Sequence, residues 1–341
     1  MQLTIPAARA SRLRVWILIP AAGDLIHATF STHLITLLGL LRIHGIWYRL
    51  HYLPGDSLVT RARNNLASIF MRDSTDDSDH YSLWLDCDIL FDPQSVLQML
   101  ALDLDFVAAP YSKKGFHVDR MAEAVRLGWD NDRIMRVVGT PNVNWVTNPV
   151  RCDEPMPVLE AGSGFWLVKR KVFRMMADAH PETRYRRSGE EVAHYGTDHA
   201  YDYFRVGVWP ETQEYLSEDW WFCRTWRNLG GTVYCCFWIK THHIGVHLYP
   251  LDMPAIADLL TATGGYINAE TKPNKETHAT TQVRPAGTTS DGSNGANGHD
   301  DSAERDAEGL RVNGTGRLVD ILATTAPDET TGEGHPGPLG R

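Results

Sequence analysis

The chain has 341 residues, a formal net charge of −9 and 43% hydrophobic residues, enough apolar side chain to bury a sizeable core. The acidic balance argues against a protein that coats nucleic acid, because such binding depends on Lys and Arg displacing counterions from phosphate. Five cysteines without a repeated spacing (Cys87, Cys152, Cys223, Cys235 and Cys236) read as free thiols in a reducing, cytoplasmic compartment and not as a disulfide framework.

Residues 15–19 are a short apolar run closed by Pro20 and Gly23, which predicts a buried strand and is too short for a signal-peptide core. A helix-length segment follows over 26–44, then a strand over 47–53, a turn at Pro54-Gly55-Asp56 and a helix over 58–71. Residues 81–85 predict a third strand running into Asp86. Pro93 opens a helix that runs to Leu100, and residues 106–109 predict a fourth strand. Alternation of this kind implies an α/β domain with a mostly parallel sheet flanked by helices. No stretch approaches the roughly 20 apolar residues of a membrane-spanning helix.

After Pro110 the pattern weakens, and loop and edge structure is expected until two strand-like stretches flank Ala161-Gly162-Ser163-Gly164. A short helix over 172–179 follows. Residues 217–229 then predict a helix stopped by Gly230-Gly231, and 232–241 alternate as a final strand. From residue 270 the composition turns to Thr, Gly, Asn, Asp, Ser and Pro with no aromatic side chain, which predicts a disordered tail over 270–341 behind one catalytic domain over 10–265. The small apolar island at 317–322 reads as a docking motif or, as is commoner, as no more than a weak helical tendency.

Residues two apart in an extended segment point the same way, so a strand ending in Asp86-Cys87-Asp88 would aim both carboxylates to one side at the carboxyl edge of the sheet. Open α/β sheets bind ligands at that edge, and hard oxygen donors suit Mg²⁺ or Mn²⁺ carrying a diphosphate. Glu218 and Asp219 stand where a helix begins and where the macrodipole stabilises negative charge. Zinc is disfavoured: there is no C-x-x-C pair, and adjacent Cys235 and Cys236 would face opposite ways. Gly162-Ser163-Gly164 lacks the spacing of a hydrolase nucleophile elbow.

In order along the chain, Arg61-Ala62-Arg63-Asn64-Asn65, Trp84-Leu85-Asp86-Cys87-Asp88, Tyr111-Ser112-Lys113-Lys114, Ala161-Gly162-Ser163-Gly164-Phe165 and Ser217-Glu218-Asp219-Trp220 resemble the A-R-N, D-x-D, Y-P-K-K, G-x-G-F and E-D segments of GT-A nucleotide-sugar glycosyltransferases of the family 2 type. The resemblance spans residues 14–249, with Ser112 standing where that family has proline. It implies a GT-A (Rossmann-like) fold and an inverting transfer of a sugar from a nucleotide-diphosphate donor to an acceptor hydroxyl. Asp219 would be the base with Glu218 as the alternative, and Mn²⁺ or Mg²⁺ would sit on Asp86 and Asp88. The resemblance also implies a histidine near the metal: His243 fits the spacing best, with His242 and His247 as competitors. Arg61, Arg63, Asn64, Asp86 and Lys113 would contact the donor, with Gly162 and Gly164 permitting its close approach. Whether glycan, protein, lipid or modified DNA carries the acceptor hydroxyl stays open, a nucleic-acid acceptor included. The nearest rivals are a nucleotidyltransferase, which would want a glycine-rich basic loop that residues 20–24 do not offer, and a non-catalytic carbohydrate-binding or scaffold protein.

Overall fold

The computed structural model describes residues 4–21, 26–145 and 150–264 and the backbone of 319–321. Strand β1 (Arg14–Ala21) is followed by helix α1 (Ala28–Ile43), strand β2 (Trp47–Pro54), helix α2 (Val59–Asp73) and strand β3 (His80–Leu85). Short strand β4 (Ile89–Phe91), helix α3 (Gln94–Leu102) and strand β5 (Phe106–Ala108) come next. After a long excursion the chain forms strand β6 (Met156–Val158), strand β7 (Phe165–Lys169), helix α4 (Arg170–Ala179), helix α5 (Glu218–Asn228) and strand β8 (Val233–Cys235). Strands β9 (Thr241–Ile244) and β10 (Leu248–Leu251) and helix α6 (Met253–Thr263) complete the domain, and strand β11 (Val319–Ile321) joins it at one edge.

These elements build an eight-stranded sheet in the order β11-β2-β1-β3-β7-β5-β8-β6. Strands β2, β1 and β3 are parallel, as are β5 and β8; β7 enters antiparallel between β3 and β5, and β6 and β11 close the edges antiparallel. The α/β class and the mostly parallel sheet agree with the sequence. The inverted β7 was not legible there, because a strand buried on both faces reads the same in either direction.

Side-chain alternation divides the core in two. Trp16, Leu18, Trp84, Trp166 and Val168 face a layer that includes Phe70 of α2, Phe173 of α4 and Phe222 of α5. Val15, Ile17, Leu83, Leu85 and Leu167 face a second layer with Phe30 of α1 and Leu100 of α3. Cys235 and Cys236 fall in opposite layers, as their adjacency in a strand requires, and all five cysteines are free. Among the described residues no helix is long and apolar enough to cross a membrane.

Three expectations need correction. Residues 110–158 contain helices Val118–Arg126 and Asn131–Arg136, started by side chains that accept from the backbone, His117 from Arg120 N–H and Asp130 from Arg133 N–H. They bury only Ala124 between them: Val118, Met121 and Val125 do recur at helical spacing on the first, but Val118 and Val125 face solvent, and the second is too short to show a stripe. The strand expected over 232–241 is broken by a turn in which Ile239 N–H donates to Cys236 C=O, and β9 belongs to a separate three-stranded sheet, β10-β9-β4. Of the tail, only residues 319–321 are described; they pair with β2 as a strand where a helical tendency was expected, and the disorder expected for the rest lies outside the described residues.

Candidate functional site

The acids Asp86 and Asp88 leave the carboxyl end of β3, but not in extended form. Ile89 N–H donates to Asp86 C=O at 3.0 Å, so the chain turns at residues 86–89 and the two-residue periodicity that would aim both carboxylates alike does not apply. Asp86 Oδ1 accepts from Arg63 Nη2 at 2.7 Å. Asp88 Oδ2 instead accepts from Lys114 Nζ at 2.7 Å and lies 3.2 Å from His243 Nε2. Cys87, between them, packs toward the α1 and α3 layer.

His243 reaches Asp88 because β9 pairs with β4: His243 stands opposite Ile89, and Ile244 N–H donates to Asp88 C=O at 2.7 Å. The other ring nitrogen, Nδ1, lies 2.7 Å from Ser112 C=O. A carbonyl can only accept, so Nδ1 carries a proton. The Nε2–Asp88 contact is then favourable only with positive charge there, either a second proton on the ring or a cation. A histidine whose far nitrogen is fixed by a backbone carbonyl is the usual arrangement behind a metal ligand. Burial works against the charge of Asp88, but hydrogen bonds from His243 and Lys114 outweigh it and hold the carboxyl at about 2.

Asp88 and His243 therefore fit a divalent cation as two donors, while Asp86 is committed to Arg63 in this arrangement. Among the described residues no three His, Cys, Asp and Glu side chains gather closely enough to hold a metal by themselves. A cation bound through one or two carboxylates and completed by substrate phosphates needs no such closed cage.

Arg63 does not sit as a free phosphate ligand. Its side chain is 3% exposed, with Nη2 on Asp86 and Nε 3.7 Å from Glu218 Oε1, while Nη1 is buried without a hydrogen-bond partner. Arg61 points away, closing a bidentate pair with Asp56 at 2.8 and 3.0 Å on the surface. Asn64 is also turned inward: its Nδ2 donates to Asp202 Oδ1 at 2.8 Å and its Oδ1 accepts from Phe204 N–H at 3.0 Å, which pins the 202–204 segment against α2. Of the two lysines Lys114 meets Asp88, while Lys113, expected at the donor, anchors its loop through a backbone N–H to Thr140 C=O at 2.7 Å.

Asp219 lies in the first turn of α5 and is buried. Its Oδ1 accepts from Ser217 Oγ and from Trp220 N–H. Burial pushes its carboxyl above the ordinary value, against those hydrogen bonds and the charge of Arg63. Glu218 is likewise raised, by burial first and then by the charge of Asp219, with Arg63 opposing. Two acids held up in this way at a helix start suit proton transfer near neutral pH better than ordinary carboxylates do.

Tyr111 ties these groups together and was not singled out from the sequence as a site residue. Its hydroxyl accepts from Asn142 Nδ2 at 3.1 Å and Gly164 N–H at 3.4 Å, and its ring meets His243 edge to face at 5.4 Å. Burial raises its phenol well above the ordinary value, helped by the charges of Asp219 and Asp86. A Cβ on Gly162 would come within 2.2 Å of Tyr111 and Asn142, and one on Gly164 within 3.0 to 3.1 Å of Tyr111 and Asp86. Both glycines thus make room for Tyr111, where the sequence reading had them make room for a sugar.

No protein-family model and no curated protein matches the chain. Among solved structures it is similar to the crystal structure of A197 from STIV, at 16% identity over 68% of this chain and 86% of that one, with a TM-score of 0.36. A likeness that loose carries no argument.

Proposed function

We propose that the chain is a glycosyltransferase that moves a sugar from a nucleotide-diphosphate donor to an acceptor hydroxyl with inversion, on a GT-A variant of the α/β fold. The observation that carries the reading is the convergence of Asp86, Asp88, His243, Glu218 and Asp219 around Arg63 and Tyr111, from sequence segments as far apart as residues 63 and 243, where β3 ends and α5 begins. Bound at Asp88 and His243, with Asp86 close by in sequence, Mn²⁺ or Mg²⁺ would offset the charge developing on the departing diphosphate.

The protein's own groups supply the remainder. The Asp219 carboxylate takes the proton of the acceptor hydroxyl as that oxygen bonds to the anomeric carbon. The bond from that carbon to the diphosphate oxygen breaks on the opposite face, and its electron pair leaves with the phosphate. Arg63 supplies a buried counter-charge to Glu218 and Asp86, and Tyr111 fixes the floor between the acids and His243. The free state of all five cysteines supports a reducing, cytoplasmic setting.

The test is release of nucleoside diphosphate from UDP-, GDP- and dTDP-sugars in the presence of Mn²⁺. One donor should turn over, slowly to water if no acceptor is supplied, and Asp219→Asn should lower that rate by roughly 10² or more, the scale of a positioned general base. Equal rates in Asp219→Asn and the parent chain would remove Asp219 from the reaction.

A further inference from the structure

A separate concavity of about 290 Å³ shares helix α5 with these acids, although none of them lines it; it is at the lower end of the size range of small-molecule sites, large enough for one ring and not for an extended chain. Its walls come from the 202–211 segment, the Pro181–Thr183 turn and the flank of α5. Trp209 and Trp221 meet there edge to face, centroids 4.9 Å apart at 73°, so two indoles form a corner. The Arg205 guanidinium lies 4.9 Å from the Trp221 ring centre.

The polar lining is mixed. Asp202 and Glu211 offer acceptors, and Arg205 and Asn228 offer donors. Glu182 is already engaged with His180 at 3.1 Å. A ligand of either charge would meet groups of its own sign in so small a space. A polyol avoids that conflict, because each hydroxyl both donates and accepts, while the C–H face of a pyranose suits an indole wall. We propose that this concavity binds a single hexose ring, the acceptor sugar of the transfer reaction.

Its position agrees with that role. Trp221 follows Glu218 by three residues on α5, so the two side chains are neighbours on one helix face. Asp202, on the opposite wall, is the group fixed by Asn64, the residue next to Arg63. A hexose held by the indoles would thus present a hydroxyl toward the acids at the start of α5. A different cavity of about 380 Å³, lined by Asp105, Lys171 and Thr232, lies at the amino-terminal ends of β5 and β8, away from every acid of the site; its charged lining residues are already paired, Asp105 with Lys171 and Asp103 with Arg9 and Lys169.

The word acceptor rests on the transferase reading, but hexose binding does not, and the experiment separates them. The full chain labelled with 5-fluorotryptophan is titrated with methyl glucoside, methyl galactoside and methyl mannoside, without metal or nucleotide sugar, with glycerol as the ringless control. Trp209→Phe and Trp221→Phe assign the two ¹⁹F resonances. At least one hexoside should shift both resonances saturably while glycerol shifts neither, and exposed Glu211→Gln should weaken that binding roughly tenfold, the scale of one hydrogen bond to a charged group. No shift with any hexoside, an equal shift with glycerol, or unchanged affinity in Glu211→Gln would overturn the assignment. Hexoside binding in a chain that turns over no donor would sink the transferase reading alone, and turnover without hexoside binding would sink this pocket alone.

Discussion

The two acids of the Asp86-Cys87-Asp88 turn are two residues apart and live in different worlds. Asp86 meets a guanidinium that is 3% exposed; Asp88 meets an ammonium that is 44% exposed and an imidazole beside it. A buried arginine is fixed by its surroundings and cannot be exchanged for another cation without leaving unpaired charge behind. An exposed lysine can swing into water at little cost and give up its place. One half of the turn is therefore scaffold and the other half is available to a ligand.

The largest effect that would break this contrast concerns Arg63. Arg63→Met leaves Asp86 and Glu218 facing each other without a counter-charge, and the expected loss is about 3–5 kcal/mol in urea unfolding, the cost of breaking a buried pair from one side. A loss below about 1 kcal/mol, the range of exposed pairs, would mean that the Asp86 side is as loose as the other.

Asp252 provides an intermediate case away from the site. It caps α6 through Ala255 N–H and accepts from Arg136 and Lys240 at 2.7 and 3.0 Å. Burial opposes its charge, but the cap and the two cations win and hold its carboxyl below the usual range. The stability it contributes is thus present above about pH 4, the unfolded value of aspartate, and is lost as pH falls through its depressed folded value. Asp252→Asn should cost about 1–3 kcal/mol at pH 7 and converge with the parent chain in acid unfolding. A difference that persists undiminished at low pH would contradict the assignment to charge.

A subtler expectation sharpens the contrast from the side of chemistry. Because burial raises Asp219, the acidic limb of donor turnover should lie above the ordinary carboxylate range, with activity appearing as pH rises through the raised value and the base ionises. A limb at about pH 4 or below would point to an unperturbed carboxylate. The smallest effect belongs to Lys114: Lys114→Ala should change stability by under about 1 kcal/mol in the same urea assay and leave Mn²⁺ binding undiminished, since Lys114 competes with a cation at Asp88. Weakened Mn²⁺ binding in that variant would show Lys114 assisting the site instead.

Much of the scaffold was legible in the sequence because its signals are local. Apolar runs between turn residues gave strands at 15–19, 47–53 and 81–85, which the structure extends by one or two residues at their ends, and the glycine pair at 230–231 ended α5 where it stops. The direction of β7, the break at residues 236–240 and the 86–89 turn depend on what the chain meets in space, which local composition does not encode. At the site the residue types were readable but their partners were not. Nothing near Arg63 in sequence says that it buries itself on Asp86, and nothing near Gly162 says that Tyr111 fills the space above it. The pairing of His243 with Asp88 came from the spacing of a family pattern, and the structure supplies its physical basis in the β4–β9 ladder.

If Asp88 and His243 form the exchangeable half of the site, they take a divalent cation together with a nucleoside diphosphate. Titration of Mn²⁺ into the protein, followed by electron paramagnetic resonance with and without UDP, GDP or dTDP, tests it directly. The account predicts that one of these nucleotides tightens Mn²⁺ binding and that Asp88→Ala and His243→Ala each remove the tightening. Mn²⁺ binding that ignores all three nucleotides, or that survives unchanged in both variants, would contradict it.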